Sequence, residues 1–489
     1  MIEYAIWLMA GTLYGTFIGI LPMAGATTGL LTVFTLAPYF LGDPYIGIIF
    51  MTSLVAASST GDSYTSILTG IPGGGQTAAS IIDGHPMALR GEAGRAIGIS
   101  LMDSTINGLI YGIIAFAFLP YYAKVVLYFG TAEFAALFFL SFCTVGMITS
   151  KSIWLAAASV IVGLYLGLIG LDPSTSAPRL TMGWEYLDSG IQFLPMIAGL
   201  FAIPELVEGW KRRHYGVVKI TNYYEQLFQG FRDCKKYWKD VARGGLVGFL
   251  TGMLPGAGGT IGDMMAYGMT VTANPKEKFG NGNPRGLAGC EGANNSQKAA
   301  SMLPTILFGV PAAPFAAVLM AICVYFGMYM GSAELVNDTK FIWSLAVSFI
   351  AATLITFIVG IFITKWVVKI LEVPYWIYAC LILSIVLWSC MQYTQTILDL
   401  YILIICSVIG LFAKRFNLSR PAILLSFIVA EKFENYTQQA YTLYDFSDLI
   451  QRPLFIGLVC LCLVVFYFTI IKRNRNQNQS TEPHKDHPL

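Results

Sequence analysis

Charge is scarce in this chain: Asp, Glu, Lys and Arg make up 12% of its 489 residues, against about 25% in an ordinary soluble domain. Histidine is scarcer still, with four in all. His85 and His214 fall in polar stretches, where a histidine is expected to be solvated, and no His-Glu-x-x-His or Ser-His-Asp set occurs. No catalytic cast is visible, and the expectation is a protein that is not an enzyme. The nine cysteines are odd in number and show neither metal-ligand spacing nor a disulfide framework. Most (Cys143, Cys323, Cys380, Cys390, Cys406, Cys460, Cys462) lie in apolar runs and read as small core residues. The start carries Glu3 and no Lys or Arg, so the basic opening of a cleaved signal peptide is missing and the N-terminus is expected in the mature chain. A net charge of +2 says nothing of a partner, because the basic residues sit in loops, where they report orientation. No nucleic-acid partner is expected.

What replaces charge is apolar sequence, 56% of residues with a mean hydropathy of +0.64. Runs at 153–170, 341–363 and 454–471 are each long enough for one helical crossing of a bilayer. The fold class expected is an all-α polytopic membrane protein of roughly 10–12 membrane segments.

The chain is built twice. Gly15 to Gly29 reappears as Gly248 to Gly262, with Gly15, Gly19, Leu21, Pro22, Ala24, Gly25, Thr27 and Gly29 all matched. Ser66-Ile-Leu-Thr-Gly-Ile-Pro72 likewise answers Thr305-Ile-Leu-Phe-Gly-Val-Pro311. Pro and Gly inside apolar sequence break a helix, and in hydrocarbon a broken helix survives only where its freed N–H and C=O groups face protein, water or ligand. Matched breaks in two halves point to a transporter's binding site. The arms 11–21 and 245–254 are too short to span unaided, which suits hairpins turning at Pro22 and Pro255. Full spans that use Gly for close packing keep the same parity and stay open.

Loop charge orients the chain, since Lys and Arg stay cytoplasmic. The stretch 210–243 holds nine of them and is placed inside. Segments 97–119, 134–149, 153–170 and 191–208 then alternate in the first half, as do 341–363, 375–390 and 398–412 in the second. Counterparts 97–119 and 341–363 lead in opposite directions, so the repeats are inverted. The division expected is a first repeat over 1–208, a basic cytoplasmic linker over 209–243, a second repeat over 244–452, an extra membrane helix over 453–471 and a disordered cytoplasmic tail over 472–489. The C-terminus is then cytoplasmic and the N-terminus outside, in the plasma membrane of a prokaryote.

Ile71 to Ser80 reads as a Gly-rich turn opening a helix near Gly73 or Gly74, whose free N–H groups would favour a carboxylate. Hydroxyls crowd just before it, from Ser58 to Ser66, and need partners in an apolar protein. In the second half the same place holds Glu291-Gly-Ala-Asn-Asn-Ser296, with Lys298 close by. Candidate substrate contacts are Pro22, Gly25, Thr27, Ser59, Ser63, Gly73, Gly74, Pro255, Gly258, Thr260, Asn294, Asn295 and Pro311. Intramembrane carboxylates are expensive and mark ion or substrate pathways. Asp62, Asp103, Asp263 and Glu291 are the candidates for coupling an ion, Na⁺ or H⁺, with no other cofactor and no bound metal expected. Asp103, one turn from Asn107, is equally suited to local pairing.

At these residues the chain resembles a known family, the large membrane subunit of the tripartite tricarboxylate transporters. The carriers of the resemblance are Gly19-Ile-Leu-Pro22 through Gly29, Ile71-Pro-Gly73, Asp83-Gly-His-Pro-Met-Ala88, Gly91-Glu-Ala-Gly-Arg-Ala96, Leu254-Pro-Gly-Ala-Gly-Gly-Thr260, Glu291-Gly-Ala-Asn-Asn295 and Gly309-Val-Pro311. It implies a secondary carrier for carboxylates, driven by a cation gradient, working with a small four-helix membrane subunit and an extracytoplasmic solute-binding protein. The chain departs from the family where Tyr-Gly-Gly-Ser is usual, having Thr60-Gly-Asp-Ser63. Gly70 replaces an Asn, His85 a Tyr, and Asp103 and Asp263 stand where small or hydroxyl residues are expected. A channel or uncoupled pore for small organic anions is the competing class. It would more naturally be built from identical short subunits than from a pseudo-symmetric pair in one chain.

Overall fold

The computed structural model describes residues 2–126, 128–149, 152–172, 175–211, 218, 220, 222–254, 261–394 and 396–480. Helix dominates them: the only strands among the described residues are Gly170–Leu171 and Pro178–Arg179, paired antiparallel. In the first half α1 is Ile2–Ile20, α2 Gly25–Val33, α3 Pro44–Thr69, α4 Ser80–Met87 and α5 Ala93–Ala117. In the second α6 is Trp238–Gly252, α7 Gly262–Ala273, α8 Pro284–Phe308, α9 Pro314–Tyr325 and α10 Thr339–Leu371. Four helical stretches among the described residues are long and apolar enough to cross a bilayer: Pro44–Thr69, Ser80–Ala117, Phe193–Lys211 and Thr339–Thr364.

The repeat is visible in how the helices start and stop. The Asp43 side chain accepts from Tyr45 N at 3.2 Å and Pro44 fills the first turn of α3, which ends at Gly70 in the left-handed region (φ 68°). The Asn283 side chain accepts from Arg285 N at 3.0 Å and Pro284 opens α8, which ends at left-handed Gly309 (φ 63°). Both use a polar cap with Pro inside the start and Gly past the end, the arrangement that satisfies terminal backbone groups without strain.

Glycine sets the packing of each half. A Cβ on Gly11, Gly15 or Gly19 would come under 3.0 Å from the carbonyl oxygens of Phe50, Leu54 and Ser58 in turn. On Gly244, Gly248 and Gly252 it would meet Gly289, Ala293 and Gln297 just as closely. Small residues at four-residue spacing let two backbones touch. The contacts advance together along both partners, so α1 runs parallel to α3 and α6 parallel to α8. Chain 21–43 must therefore return to the side where α1 began, and the Tyr4 hydroxyl donates to Asp43 Oδ2 at 2.6 Å there. Gly19, three residues before the turn at Pro22, lies level with Gly61, because a Cβ on Gly61 would meet it. That is about eight residues, or roughly 12 Å, short of the far end of α3. The first repeat thus opens with a hairpin that turns inside the helical layer, and its glycines also serve close packing. Both readings of the motif apply together. The second hairpin's turn, with Pro255, Gly258 and Thr260, lies outside the described residues.

The two halves oppose each other. Glu291 meets Ser63, Asn294 meets Ser59 and Ser63, and Lys298 meets Ser58 and Val55. Register falls on α3 as it rises on α8, so the matched helices are antiparallel and the repeats inverted. Packing is reciprocal: α5 lies on α8 as α10 lies on α3, and helix Arg420–Leu443 lies on Ile153–Gly167 as Leu398–Arg415 lies on the π-helical turn Ala198–Ala202.

Several expectations change. The arms read as 11–21 and 245–254 begin at Ile2 and Trp238, because Trp7, Tyr14 and their neighbours extend the apolar face outward. Within 209–243, helix Tyr223–Lys236 packs its Leu227 and Gly230 on Gly98 and Arg95 of α5, and Asp233 takes a 2.6 Å ion pair from Arg95. The final helix, Pro453–Ser480, continues beyond 471 into the segment read as a disordered tail. Arg420–Leu443 escaped the sequence because its second half is polar. All nine cysteines are free; Cys380 and Cys460, read as core, are exposed, since they face outward from peripheral helices.

Candidate functional site

The hydroxyl-rich centre of α3 is where both broken segments of the first repeat meet. Thr65 donates to Ile20 O at the end of α1, Met23 N donates to Pro72 O at 3.3 Å, and Gly73 N donates to Ser66 Oγ at 3.3 Å. The Ser58-to-Ser66 run therefore supplies much of what the broken backbone needs. The second segment, 71–76, doubles back along α3 until Gly73 rests on the Asp62 backbone and Gly74 on its carboxylate, where an added Cβ would stand 2.8 Å from Oδ2. Gly25, itself left-handed (φ 59°), faces Gly74 across this point. Glycine is needed at these tips because two backbones and a carboxylate share one space.

No α-helix begins at Gly73 or Gly74, contrary to the sequence expectation. A three-residue 3-10 turn occupies Gly75–Thr77 and α4 starts at Ser80. The extended backbone at Gly74 (φ −138°, ψ 174°) lies flat against Asp62 instead of pointing free N–H groups at a ligand.

From the second half, α8 lays a fully buried polar face against this centre. Glu291 Oε2 accepts from Ser63 Oγ at 2.8 Å, Ser100 Oγ at 2.9 Å and Ser104 Oγ at 3.4 Å, joining α8 to α3 and α5. Asn294 donates to Ser59 O at 3.2 Å and Asn295 to Ser104 O at 3.1 Å. Asp263, second residue of α7, accepts from Ala79 N at 3.1 Å and so ties the second repeat to the inward segment of the first. Asp103 takes Asn107 Nδ2 at 2.6 Å, the local pairing its spacing offered. Buried oxygens of Ser59, Asp62, Asp103, Asp263, Asn294 and Asn295 are left with no partner among the described residues. Orphans of this kind ask for a bound species. Among the described residues no group of three His, Cys, Asp or Glu is placed to hold a metal ion.

The structure thus gathers Gly25, Ser59, Asp62, Ser63, Gly73, Gly74, Glu291, Asn294 and Asn295, with Asp263 joined through Ala79. Pro22 forms the hairpin turn and Thr27 is only half-buried on α2. Pro311 stands apart, in a small cleft with Pro314 and Pro421, because α8 carries it past the centre. Two contributors were missed by sequence reasoning, Ser100 and Ser104, which look like ordinary α5 residues; Lys298 was noted beside Glu291–Ser296 as a charge in an apolar stretch but given no role.

His85 is not solvated. It sits in α4, half-buried, with Nδ1 2.9 Å from Ile67 O; His214 lies outside the described residues. Its neighbour Asp83 accepts from the backbone N–H of Gly280, Gly282 and Asn283 at 2.8–2.9 Å and from Tyr267 at 3.0 Å. Removing this carboxylate strands four donors, each costing about 1 kcal/mol or more. Asp83→Ala is therefore expected to lower the apparent melting temperature of the detergent-solubilised protein by about 5 °C or more, read by size-exclusion after a heat series; an unchanged profile would show the loop 280–283 to be held otherwise.

Antiparallel, inverted halves with broken segments meeting at a buried polar centre define a polytopic membrane protein of the repeat-built kind. Residues 5–425 match the tripartite tricarboxylate transporter TctA family, and the chain belongs to it. An uncharacterized 52.8 kDa protein in the TAR-I ttuC' 3' region of Agrobacterium vitis is 27% identical over 483 residues, covering 96% of this chain and 95% of that protein. An uncharacterized protein in the TAR-II ttuC' 3' region of the same organism is 25% identical over 237 residues, covering 47% of this chain and 98% of its own length. No solved structure matches the chain significantly.

Proposed function

We propose that this chain is the membrane carrier of a cation-coupled system that imports an organic carboxylate, di- or tricarboxylate, by alternating access. The observation that carries the reading is the meeting of both halves at one buried centre: Asp62, Glu291, Asn294 and Lys298 are each at most 1% exposed. A centre sealed from both faces is what an occluded carrier presents, and inverted halves can rock about it to open either way. The coupling ion is Na⁺ or H⁺, with Asp62, Asp263 and Glu291 as the groups that meet it. An extracytoplasmic solute-binding protein delivers substrate, and a small four-helix membrane subunit completes the assembly.

Gradient-driven uptake of labelled carboxylates into proteoliposomes, with Na⁺ and pH varied separately, tests this. Uptake should follow one cation gradient, and Asp263→Asn should weaken that dependence far more than it lowers protein abundance. Uptake that equilibrates substrate without regard to either gradient would make the protein a pore.

We infer the orientation from loop charge. Arg90 donates to Asn281 O and Gly282 O, Arg95 pairs with Asp233, and Arg285 pairs with Asp240, so these basic loops share one face, which supports reading that face as cytoplasmic. Tyr4, Asp43, Tyr45, Asp338 and Lys340 meet at the opposite face. A cysteine at exposed Lys236 should react with an impermeant maleimide only after the cells are opened, and one at exposed Glu185 in intact cells. Labelling of Lys236 from outside would invert the assignment.

A further inference from the structure

Lys298 is the one lysine or arginine that is fully buried among the described residues. Its Nζ donates to Ser58 Oγ at 3.0 Å and to Val55 O at 3.4 Å, and stands 3.8 Å from Asp62 Oδ2. That last separation is an ion pair but too long for a hydrogen bond. Asp62 Oδ1 has no partner at all among the described residues. A pair kept for stability needs tight geometry and filled lone pairs to offset desolvation; this one has neither. The charges come from opposite halves, Asp62 from α3 and Lys298 from α8, and they sit where the glycine tips Gly25 and Gly74 close over the carboxylate.

Sign decides what each can do. Four carboxyl groups, Asp62, Asp103, Asp263 and Glu291, share this interior with one ammonium. Asp83 and His85 of α4 are engaged with the 280–283 loop and Ile67 O, Asp240 and Arg243 lie in the first two turns of α6, and Lys340 and Lys369 lie in the first and last turns of α10. Among the charged groups of this centre, Lys298 alone attracts a carboxylate substrate.

Resting on the carrier reading above, we propose that Lys298 is the substrate-carboxylate anchor and that Asp62 is its internal stand-in, exchanged for substrate when Asp62 takes up a proton. In the empty carrier the Asp62 carboxylate balances the ammonium. A proton bound at Asp62 leaves Lys298 uncompensated, and a substrate carboxylate takes the place of Asp62; on release, the substrate departs with its charge, the proton leaves Asp62, and the internal pair re-forms. One proton moves with each substrate carboxylate so bound, and no covalent bond changes.

The test is equilibrium binding of [¹⁴C]succinate and [¹⁴C]citrate to the full chain in nanodiscs at pH 6.5 and pH 8. The native chain should bind about tenfold more tightly at the lower pH. Asp62→Asn, which imitates the protonated acid, should hold the tight affinity at both; measured with the same probe, it also carries any titration of the probe itself. Lys298→Met leaves Asp62 unpaired and can misfold, so the Asp62→Asn/Lys298→Met double variant, with no stranded charge, is measured beside it. Both should lose about 100-fold in affinity at either pH. If the double variant binds as the native chain does, Lys298 is not the anchor. If Asp62→Asn keeps the native pH dependence, Asp62 is not its stand-in; either result leaves the carrier reading standing. If the native chain binds neither probe at either pH, the carboxylate reading falls and takes this proposal with it.

Discussion

Valine at Gly15 or at Gly248 is expected to remove most of the folded protein from the membrane. The added Cβ alone would sit under 3.0 Å from the Leu54 backbone in the first case and the Ala293 backbone in the second. Neither neighbour is a flexible side chain that can swing away, so the helices must separate along their length. Gly11 and Gly19 then lose their seats on Phe50 and Ser58, and Gly244 and Gly252 theirs on Gly289 and Gln297. Overpacking a close interface costs about 1–3 kcal/mol even where side chains can adjust, and here the penalty falls on backbone, in a protein whose helices associate by packing more than by the hydrophobic effect. Against a total stability of about 5–15 kcal/mol, the monodisperse fraction after detergent extraction should drop about tenfold or more. Gly268→Val, whose Cβ meets nothing within 4 Å, is the control and should behave as the native chain. Normal yield of Gly15→Val would mean that the α1–α3 contact is not what sets the hairpin.

Glu291→Gln should separate scaffold from function. Three serine hydroxyls from two helices converge on one carboxylate oxygen, at 2.8 to 3.4 Å. Charge-assisted bonds of this kind are about twice as strong as neutral ones. Glutamine preserves shape and one acceptor oxygen, so α8 should stay seated between α3 and α5 and protein abundance should remain within about twofold. The charge that would meet a cation at depth is gone. Uptake driven by the cation gradient should therefore fall about 100-fold, each factor of ten corresponding to about 1.4 kcal/mol. Glu291→Ala, which leaves three hydroxyls stranded, should lose abundance as well, because each unsatisfied buried group costs about 1–3 kcal/mol. Uptake by Glu291→Gln within a factor of two of the native chain would reduce Glu291 to a structural acceptor.

What the sequence determined by itself was everything that depends on period and composition. Low charge and long apolar runs made the bilayer the solvent. The matched Gly and Pro positions, Gly15 to Gly29 against Gly248 to Gly262, declared two copies, and loop charge declared them inverted, which the opposed register of α3 and α8 bears out. Asp62, Ser63, Glu291, Asn294 and Asn295 were legible because a polar side chain in apolar sequence must have a reason to be there. Only the tertiary structure decided which of these meet. Gly73 and Gly74 read locally as the start of an anion-binding helix, and nothing within ten residues shows that the segment folds back onto Asp62. Ser100 and Ser104 carry no local mark, since a serine facing a neighbouring helix looks like one facing its own backbone. Lys298 was visible as a charge but not as a partner. Its meaning comes from Asp62, 236 residues earlier, and two helices antiparallel across an interface bring together residues that no spacing along the chain can pair.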